Sequence, residues 1–335
     1  LEPAFIENYH AERDLIGELG DAVRAAGMTY ALYYSGGLDW TFEPASIVDI
    51  ADLLTTVPQG GDYIAYANGH WQELIERYHP ALMWNDIGYP AGADLKALFA
   101  GYYNQVPEGV INDRFSQFKW ARSQLMQTRL VRAMISQGIQ WIMARGAALP
   151  ATGHHDFRTP EYSSFDRITE GKWEATRGIG HSFGYNQQEG AEHYLTVEAL
   201  VRSFVDVISK NGNLLLNVGP MAGGTIPKEQ QERLQGLGRW LEVNGEAVFG
   251  SRPWKRAEGR TTEGLDLRFT QQGKALYAVL LARPQQPQVT IESLRASEGA
   301  TVHLLGRAGA LAWRQQGEHL AISLPEELAP APAYA

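Results

Sequence analysis

Over residues 11–26, AERDLIGELGDAVRAA, apolar positions recur at spacings of three and four and stop at Gly27, which predicts a helix closed by a glycine. MTYALYYS then reads as a strand that breaks on GGLDW. GDYIAYANGHWQELIERYH returns to helical spacing and ends at Pro80. The apolar run before Trp84 predicts a strand, and it delivers Asn85-Asp86 just ahead of the breakers Gly88 and Pro90. DLKALFAGYYNQV and EGVINDRF repeat the helix-then-strand order, as do LTVEALVRSFVDVISKNG and NLLLNVGP. Such alternation is the pattern of βα units around a parallel sheet.

The predicted strand ends share a feature. Tyr33-Tyr34-Ser35, Trp84-Asn85-Asp86, Asn112-Asp113-Arg114 and Asn217 all stand where an apolar run finishes. In a βα barrel the C-terminal strand ends build the active site, so four such ends point to one. On its own stretch Asp86 reads as a helix cap or as a reactive carboxylate held over a pocket, and the cap is the commoner case.

Beyond LGRWLEVNGEAVFGSRPW the period changes. LDLRFT, ALYAVLL, QVTIESL, ATVHLL and LAISL are short alternating runs separated by Gly, Gln and Pro, which predicts an antiparallel β-sandwich. We expect a first domain over residues 1–248 and a second over 249–335, with a frayed Pro- and Ala-rich tail. Residues 116–153 fit neither domain. They carry Lys119, Arg122, Arg129, Arg132 and Arg145 and no acid, with Trp120, Leu130, Met134, Ile135 and Ile142 at helical spacing. We read them as an amphipathic helical insertion broken near Gly138 and favour a contact surface for a homo-oligomer, with a lid over the pocket rim or a membrane-surface helix as the alternatives.

Composition narrows the chemistry. The chain has 335 residues, 44% of them hydrophobic and 20% charged, as in ordinary globular proteins. A net charge of −9 argues against a nucleic-acid partner. The absence of cysteine excludes disulfides, thiolate metal sites and a cysteine nucleophile. No apolar run is long enough to span a membrane, and the first residues lack the apolar block of a signal peptide. Nine Trp and fifteen Tyr, several beside Gly, Asn or Asp, suit either a sugar site or a large core. His154-His155-Asp156 has the residue types of a metal cluster, but adjacent histidines in irregular backbone seldom point at one ion. We expect neither a metal nor a cofactor.

YYSGGLDW, MWNDIGYP, VINDRF, HHDFRTPEY, KWEATRGIGHSFGYN and SKNGNLLLNVGP…GTIP, in that order, resemble glycoside hydrolase family 29, the retaining α-L-fucosidases. The resemblance implies a (β/α)8-like barrel followed by a β-sandwich, and hydrolysis of terminal α-L-fucose from fucosylated glycans. It implies Asp86 as nucleophile and Glu161 of RTPEY as acid/base, with Glu174 of KWE as the alternative. A retaining glycosidase needs two such carboxyl groups roughly 5 Å apart. It also implies that Tyr33, Trp84 and Arg114 line the sugar, and that Phe183 meets the fucose methyl group. The bland reading of Arg114 is a strand-end ion pair with Asp113.

One departure stands out. The family's barrel begins before YYSGGLDW, with further βα units and sugar-binding histidines, and only about five strands are legible here. We therefore expect a barrel incomplete at its N-terminus, whose missing signal peptide says nothing about the native precursor. A fucose-binding or structural fragment without turnover is the alternative function.

Overall fold

The structure, a computed structural model, describes residues 7, 9–44, 46–118, 128–143 and 153–335. Lys119, Trp120, Arg122 and Arg145, and the side chains of Arg129 and Ile142, lie outside what it describes. The chain divides into two compact units, residues 1–159 and 160–335, a division that falls inside the range expected for the first domain.

The first unit runs α1 (Leu15–Ala25), β1 (Leu32–Ser35), α2 (Ile50–Thr55), α3 (Gly61–Tyr78), β2 (Leu82–Asp86), α4 (Leu95–Gln105), β3 (Val110–Ile111) and α5 (Arg129–Met143). Its strands form one parallel sheet in the order β1-β2-β3. Helix starts follow the acidic caps: Asp14 accepts from Gly17 N at 3.0 Å, and Asp94 from Lys96 N and Ala97 N at 3.0 and 3.1 Å. Tyr63, Ala67, Trp71 and Ile75 of α3 bury one helical stripe against Met83, Ile111, Phe99, Tyr102 and Phe115. Because side chains alternate along a strand and Met83 faces that core, Trp84 and Asp86 share the opposite face of β2. The register then sets Tyr33 beside Trp84 and Ser35 beside Asp86.

One expectation is corrected here. The predicted break near Gly138 is absent, and α5 runs through it. One glycine costs a helix interior about 1 kcal/mol, which packing against α2 offsets. That packing includes the Arg132–Asp52 ion pair and a 3.3 Å hydrogen bond from Ala51 N to Ser136 Oγ. Ser136 and Ile139 are buried, whereas Leu130, Met134 and Trp141 are exposed.

The second unit opens with β4 (Trp173–Gly178), α6 (Val197–Ser209), β5 (Gly212–Asn217) and α7 (Lys228–Asn244), with β4 and β5 parallel. It continues as β6 (Arg252–Arg260), β7 (Asp266–Gln272), β8 (Ala275–Leu280), β9 (Gln288–Ile291), β10 (Trp313–Gln316) and β11 (His319–Ser323). These make two antiparallel sheets, β6-β7-β8 and β10-β11-β9. Leu267, Phe269 and Leu280 of one pack into a single core with Val289, Ile291, Leu320 and Ile322 of the other. ATVHLL, expected as a strand, contributes only the Val302–Leu311 bridge. The tail is not frayed. Tyr334 exchanges backbone hydrogen bonds of 2.8 and 3.0 Å with Leu280, and the Trp240 indole donates to Ala333 O at 3.0 Å. Burial of Ala333 and Tyr334 overrides the low order that Pro and Ala suggest.

An ionic cluster joins α6 to the β6-β7-β8 sheet. Lys210 Nζ lies 2.9 Å from both Asp206 Oδ1 and Glu258 Oε1, and Arg268 Nε lies 2.6 Å from Asp206 Oδ1. Burial by itself would raise the Asp206 carboxyl, but hydrogen bonds from Lys210 and Arg268 outweigh it and hold the group below its ordinary value. A depressed carboxyl stabilises the fold above its unfolded value of about 3.9, and that contribution fades as pH falls through the folded value. Asp206→Asn is expected to cost about 3 kcal/mol at pH 7, read as a lowered melting temperature. The gap from wild type should close as the pH is taken below about 4. A constant gap across that range would contradict the ionic origin.

Candidate active site

Asp86 ends β2 with both carboxylate oxygens engaged. Oδ1 accepts from Arg114 Nη1 at 3.0 Å and from Ile87 N at 2.9 Å, and Oδ2 accepts from the Tyr33 hydroxyl at 2.9 Å. Trp84 floors the group: its ring stacks on Tyr33 at 5.5 Å and lies 4.7 Å below the Arg114 guanidinium. Protein packed around the Tyr33 hydroxyl, and then the Asp86 charge, push that phenol well above its ordinary range, so it stays a proton donor. The four residues Tyr33, Trp84, Asp86 and Arg114 are thus brought together. The ion pair keeps about a fifth of each side chain in solvent, 18% for Arg114 and 20% for Asp86, so the carboxylate is reachable.

Arg114 does not pair with Asp113, as its bland reading had it. The two are linked through Thr159, a residue that sequence reasoning passed over. Arg114 Nε donates to Thr159 Oγ1 at 2.7 Å and Nη2 to Thr159 O at 2.8 Å. The Thr159 hydroxyl and N–H in turn donate to Asp113 Oδ1 at 2.7 and 3.1 Å. The guanidinium is therefore held by Thr159 at Nε and Nη2 while its Nη1 reaches Asp86.

Strand ends this close need pinning, and two asparagines supply it. Asn85 N donates to Asn112 Oδ1 at 3.0 Å, and Asn112 Nδ2 returns to Asn85 O at 2.8 Å. Asn85 Nδ2 also holds the carbonyls of Gly88 and Arg114, at 2.9 and 3.0 Å. Beyond Asp86 the backbone turns through two left-handed residues, Ile87 at φ 62° and Gly88 at φ 82°. The first is costly for a β-branched side chain, and such strain persists where surrounding structure over-determines it.

His154 and Asp156 both meet the Tyr103 hydroxyl, at 2.8 and 2.7 Å, and Asp156 also accepts from Ile111 N at 2.7 Å. They tie their segment to α4 and β3. Among the described residues no group of three His, Cys, Asp or Glu side chains is placed to hold a metal.

Glu161, Glu174 and Phe183 belong to the second unit. Residues 160–162 make one parallel β-bridge to β4: Thr176 N donates to Pro160 O at 2.9 Å and Tyr162 N to Thr176 O at 3.0 Å. Glu161 is thereby paired with Thr176, towards the C-terminal end of β4, whereas Glu174 sits near its start opposite Asn213. Tyr162, also unforeseen, organises this end. Its ring meets Phe183 edge-on at 5.3 Å, and its hydroxyl donates to His181 O at 3.0 Å and accepts from Gly178 N at 3.2 Å. Asn217, at the end of β5, donates its amide to Phe183 O.

Parallel sheets with helical crossovers, a carboxylate fixed at a strand end beside aromatic rings, and a following antiparallel β region define an α/β chain with a β-rich C-terminal part. A family model described as Alpha-L-fucosidase matches residues 5–246, and one described as Alpha-L-fucosidase C-terminal domain matches residues 261–334. The chain belongs to the alpha-L-fucosidase family. It is 30% identical over 327 residues to the alpha-L-fucosidase of Branchiostoma floridae, covering 93% of this chain and 64% of that one. It is similar to Thermotoga maritima alpha-fucosidase solved with a mechanism based inhibitor, at 41% identity and TM-score 0.78, covering 94% of this chain and 65% of that one. Similarity to Thermotoga maritima alpha-fucosidase in complex with fucose is at 40% identity and TM-score 0.77, with the same coverage of 94% and 65%. The chain spans a little under two thirds of the length of these relatives.

The glycine pair after β1 has a physical cause. The Tyr63 hydroxyl donates to Gly36 O at 3.0 Å, and a Cβ on Gly37 would overlap the Ile87 carbonyl oxygen. Relief would have to move the carbonyl of Ile87, the residue whose N–H donates to Asp86. Gly37→Ala is expected to destabilise by about 2–3 kcal/mol in thermal unfolding, as overpacking does. A melting temperature within a degree of wild type would show that the loop gives way easily.

Proposed function

We propose that this chain acts as a retaining exo-α-L-fucosidase that removes terminal α-L-fucose from fucosylated glycans. The observation that carries the reading is Asp86 itself: a strand-end carboxylate, partly open to solvent, held at both oxygens by Arg114, Ile87 N and Tyr33. The relatives solved with fucose and with a mechanism based inhibitor add support.

In this reading Asp86 attacks the anomeric carbon while Glu161 gives its proton to the departing glycosidic oxygen. The carbon–oxygen bond breaks towards that oxygen, and a fucosyl ester forms on Asp86. Glu161, now ionised, takes a proton from water, whose oxygen displaces Asp86 and releases fucose with its configuration kept. Tyr33, Trp84 and Arg114 line the sugar and Phe183 faces its methyl group. Glu161 is preferred to Glu174 because its pairing with Thr176 lies towards the strand end, where βα folds carry their chemistry. The finer fold that goes with this reading is a (β/α)8-like barrel over residues 1–248 and a β-sandwich over 249–335.

Asp86→Ala is expected to lower turnover of 4-nitrophenyl α-L-fucoside at least 1,000-fold, roughly the scale of losing a covalent nucleophile. Added azide should restore consumption and yield the β-fucosyl azide. An α-configured adduct, or near-normal activity in the variant, would sink the assignment. Wild-type chain that binds fucose without turnover would leave a binding domain instead.

A further inference from the structure

The register of β4 sorts its side chains into two sets. Trp173 and Ala175 join Val207 of α6 and Leu214 of β5 in one apolar cluster. Glu174, Thr176 and Gly178 therefore face the other way, and Glu161, as the partner of Thr176, shares that face. Thr176 is 4% exposed, and its Oγ1 is fully buried with no hydrogen-bond partner. Its backbone groups are already spent on Pro160 O and Tyr162 N. A valine would fill the same volume without desolvating a hydroxyl. A buried hydroxyl left unpaired in a native fold calls for an acceptor that reaches it during function. The side chain directly across the pairing is Glu161, whose flexible stem lets its carboxylate fold onto that neighbour.

We propose that Thr176 is the positioning residue of Glu161, its hydroxyl donating to one carboxylate oxygen and so turning the other towards the glycosidic oxygen. The inference rests on the reading of Glu161 as acid/base. Glu161 must present an acidic proton in the first step and a carboxylate in the second. A rotatable hydroxyl donor serves both states, since it binds the oxygen that does not exchange the proton. The charged and titratable neighbours on the same elements are Glu174, Arg177 and Tyr162. Arg177 is committed elsewhere: it lies 5.5 Å over the Tyr162 ring and donates to Gly178 O at 3.2 Å. Thr176 is thus a donor on the Glu161 face of β4 that has no other duty.

The test compares an aryl fucoside with a good leaving group, 4-nitrophenyl α-L-fucoside, with methyl α-L-fucoside, which needs the proton. Thr176→Val should lower kcat/KM roughly 10- to 100-fold on the methyl glycoside and less than about threefold on the aryl one, the scale of misplacing an acid catalyst. Thr176→Ser, which keeps the donor, should return both to within about twofold. If Thr176→Val does not fold, Thr176→Ala takes its place and must show the same split. Glu161→Ala runs alongside as the reference. A split in Glu161→Ala with equal losses, or none, in the Thr176 variants overturns this inference and leaves the acid/base assignment standing. No split in Glu161→Ala overturns the assignment and the inference with it.

Discussion

The Asp86–Arg114 ion pair is the contact on which the first unit's site depends, and its strength lies in how little either partner can move. Arg114 is gripped at Nε and Nη2 by Thr159, which is itself held by Asp113. Asp86 is gripped by the next backbone N–H and by Tyr33. An exposed ion pair between two free side chains is worth little, because ordering them consumes most of the gain. Here the ordering is supplied by groups that the fold has already fixed. The pair is preorganised, and what it presents is one carboxylate at one place.

That arrangement explains why conserving the strand alone would not suffice. Parallel pairing places Tyr33 beside Trp84 and Ser35 beside Asp86, but it leaves the chain free to diverge once the strands end. The reciprocal Asn85–Asn112 bonds continue the sheet by side chains past the point where backbone pairing stops. Ile87 then takes a left-handed turn that an isolated chain would avoid. The cost of that turn is met by the same asparagine, whose amide holds Gly88 O and Arg114 O together.

Much of this was legible in the sequence, and the part that was not has a common cause. Helices with acidic caps and three-four spacing, such as those opened by Asp14 and Asp94, announce themselves locally. So does the run that delivers Asp86. The residues that were missed act at long range: Thr159 reaches 45 positions back to Arg114, and Tyr162 reaches forward to His181 and Phe183. Threonine and tyrosine at such places carry no periodic signal, because their role depends on which loop folds over them. Gly138 failed in the opposite sense. Its local preference against helix is real but small, and the Arg132–Asp52 and Ser136–Ala51 contacts of α5 with α2 decide the matter. The C-terminal tail gave the same lesson, since Tyr334 is held by the edge of β8 and not by its own neighbours.

The two carboxyl groups differ in how they are carried, and the difference suits different chemical duties. Asp86 sits at the end of a central strand with three donors and no spare direction. A nucleophile is charged throughout its resting state and gains from a constant surrounding of donors. Glu161 is registered on β4 by a single parallel bridge to Thr176 and is followed by Tyr162 in a left-handed turn at φ 46°. A group that must lose and regain a proton is poorly served by three fixed donors, each of which would favour the ionised form alone. Under the fucosidase reading, Asp86 meets the sugar from a strand end fixed by Arg114, Tyr33 and its own backbone, and Glu161 from a bridge that registers its backbone on Thr176.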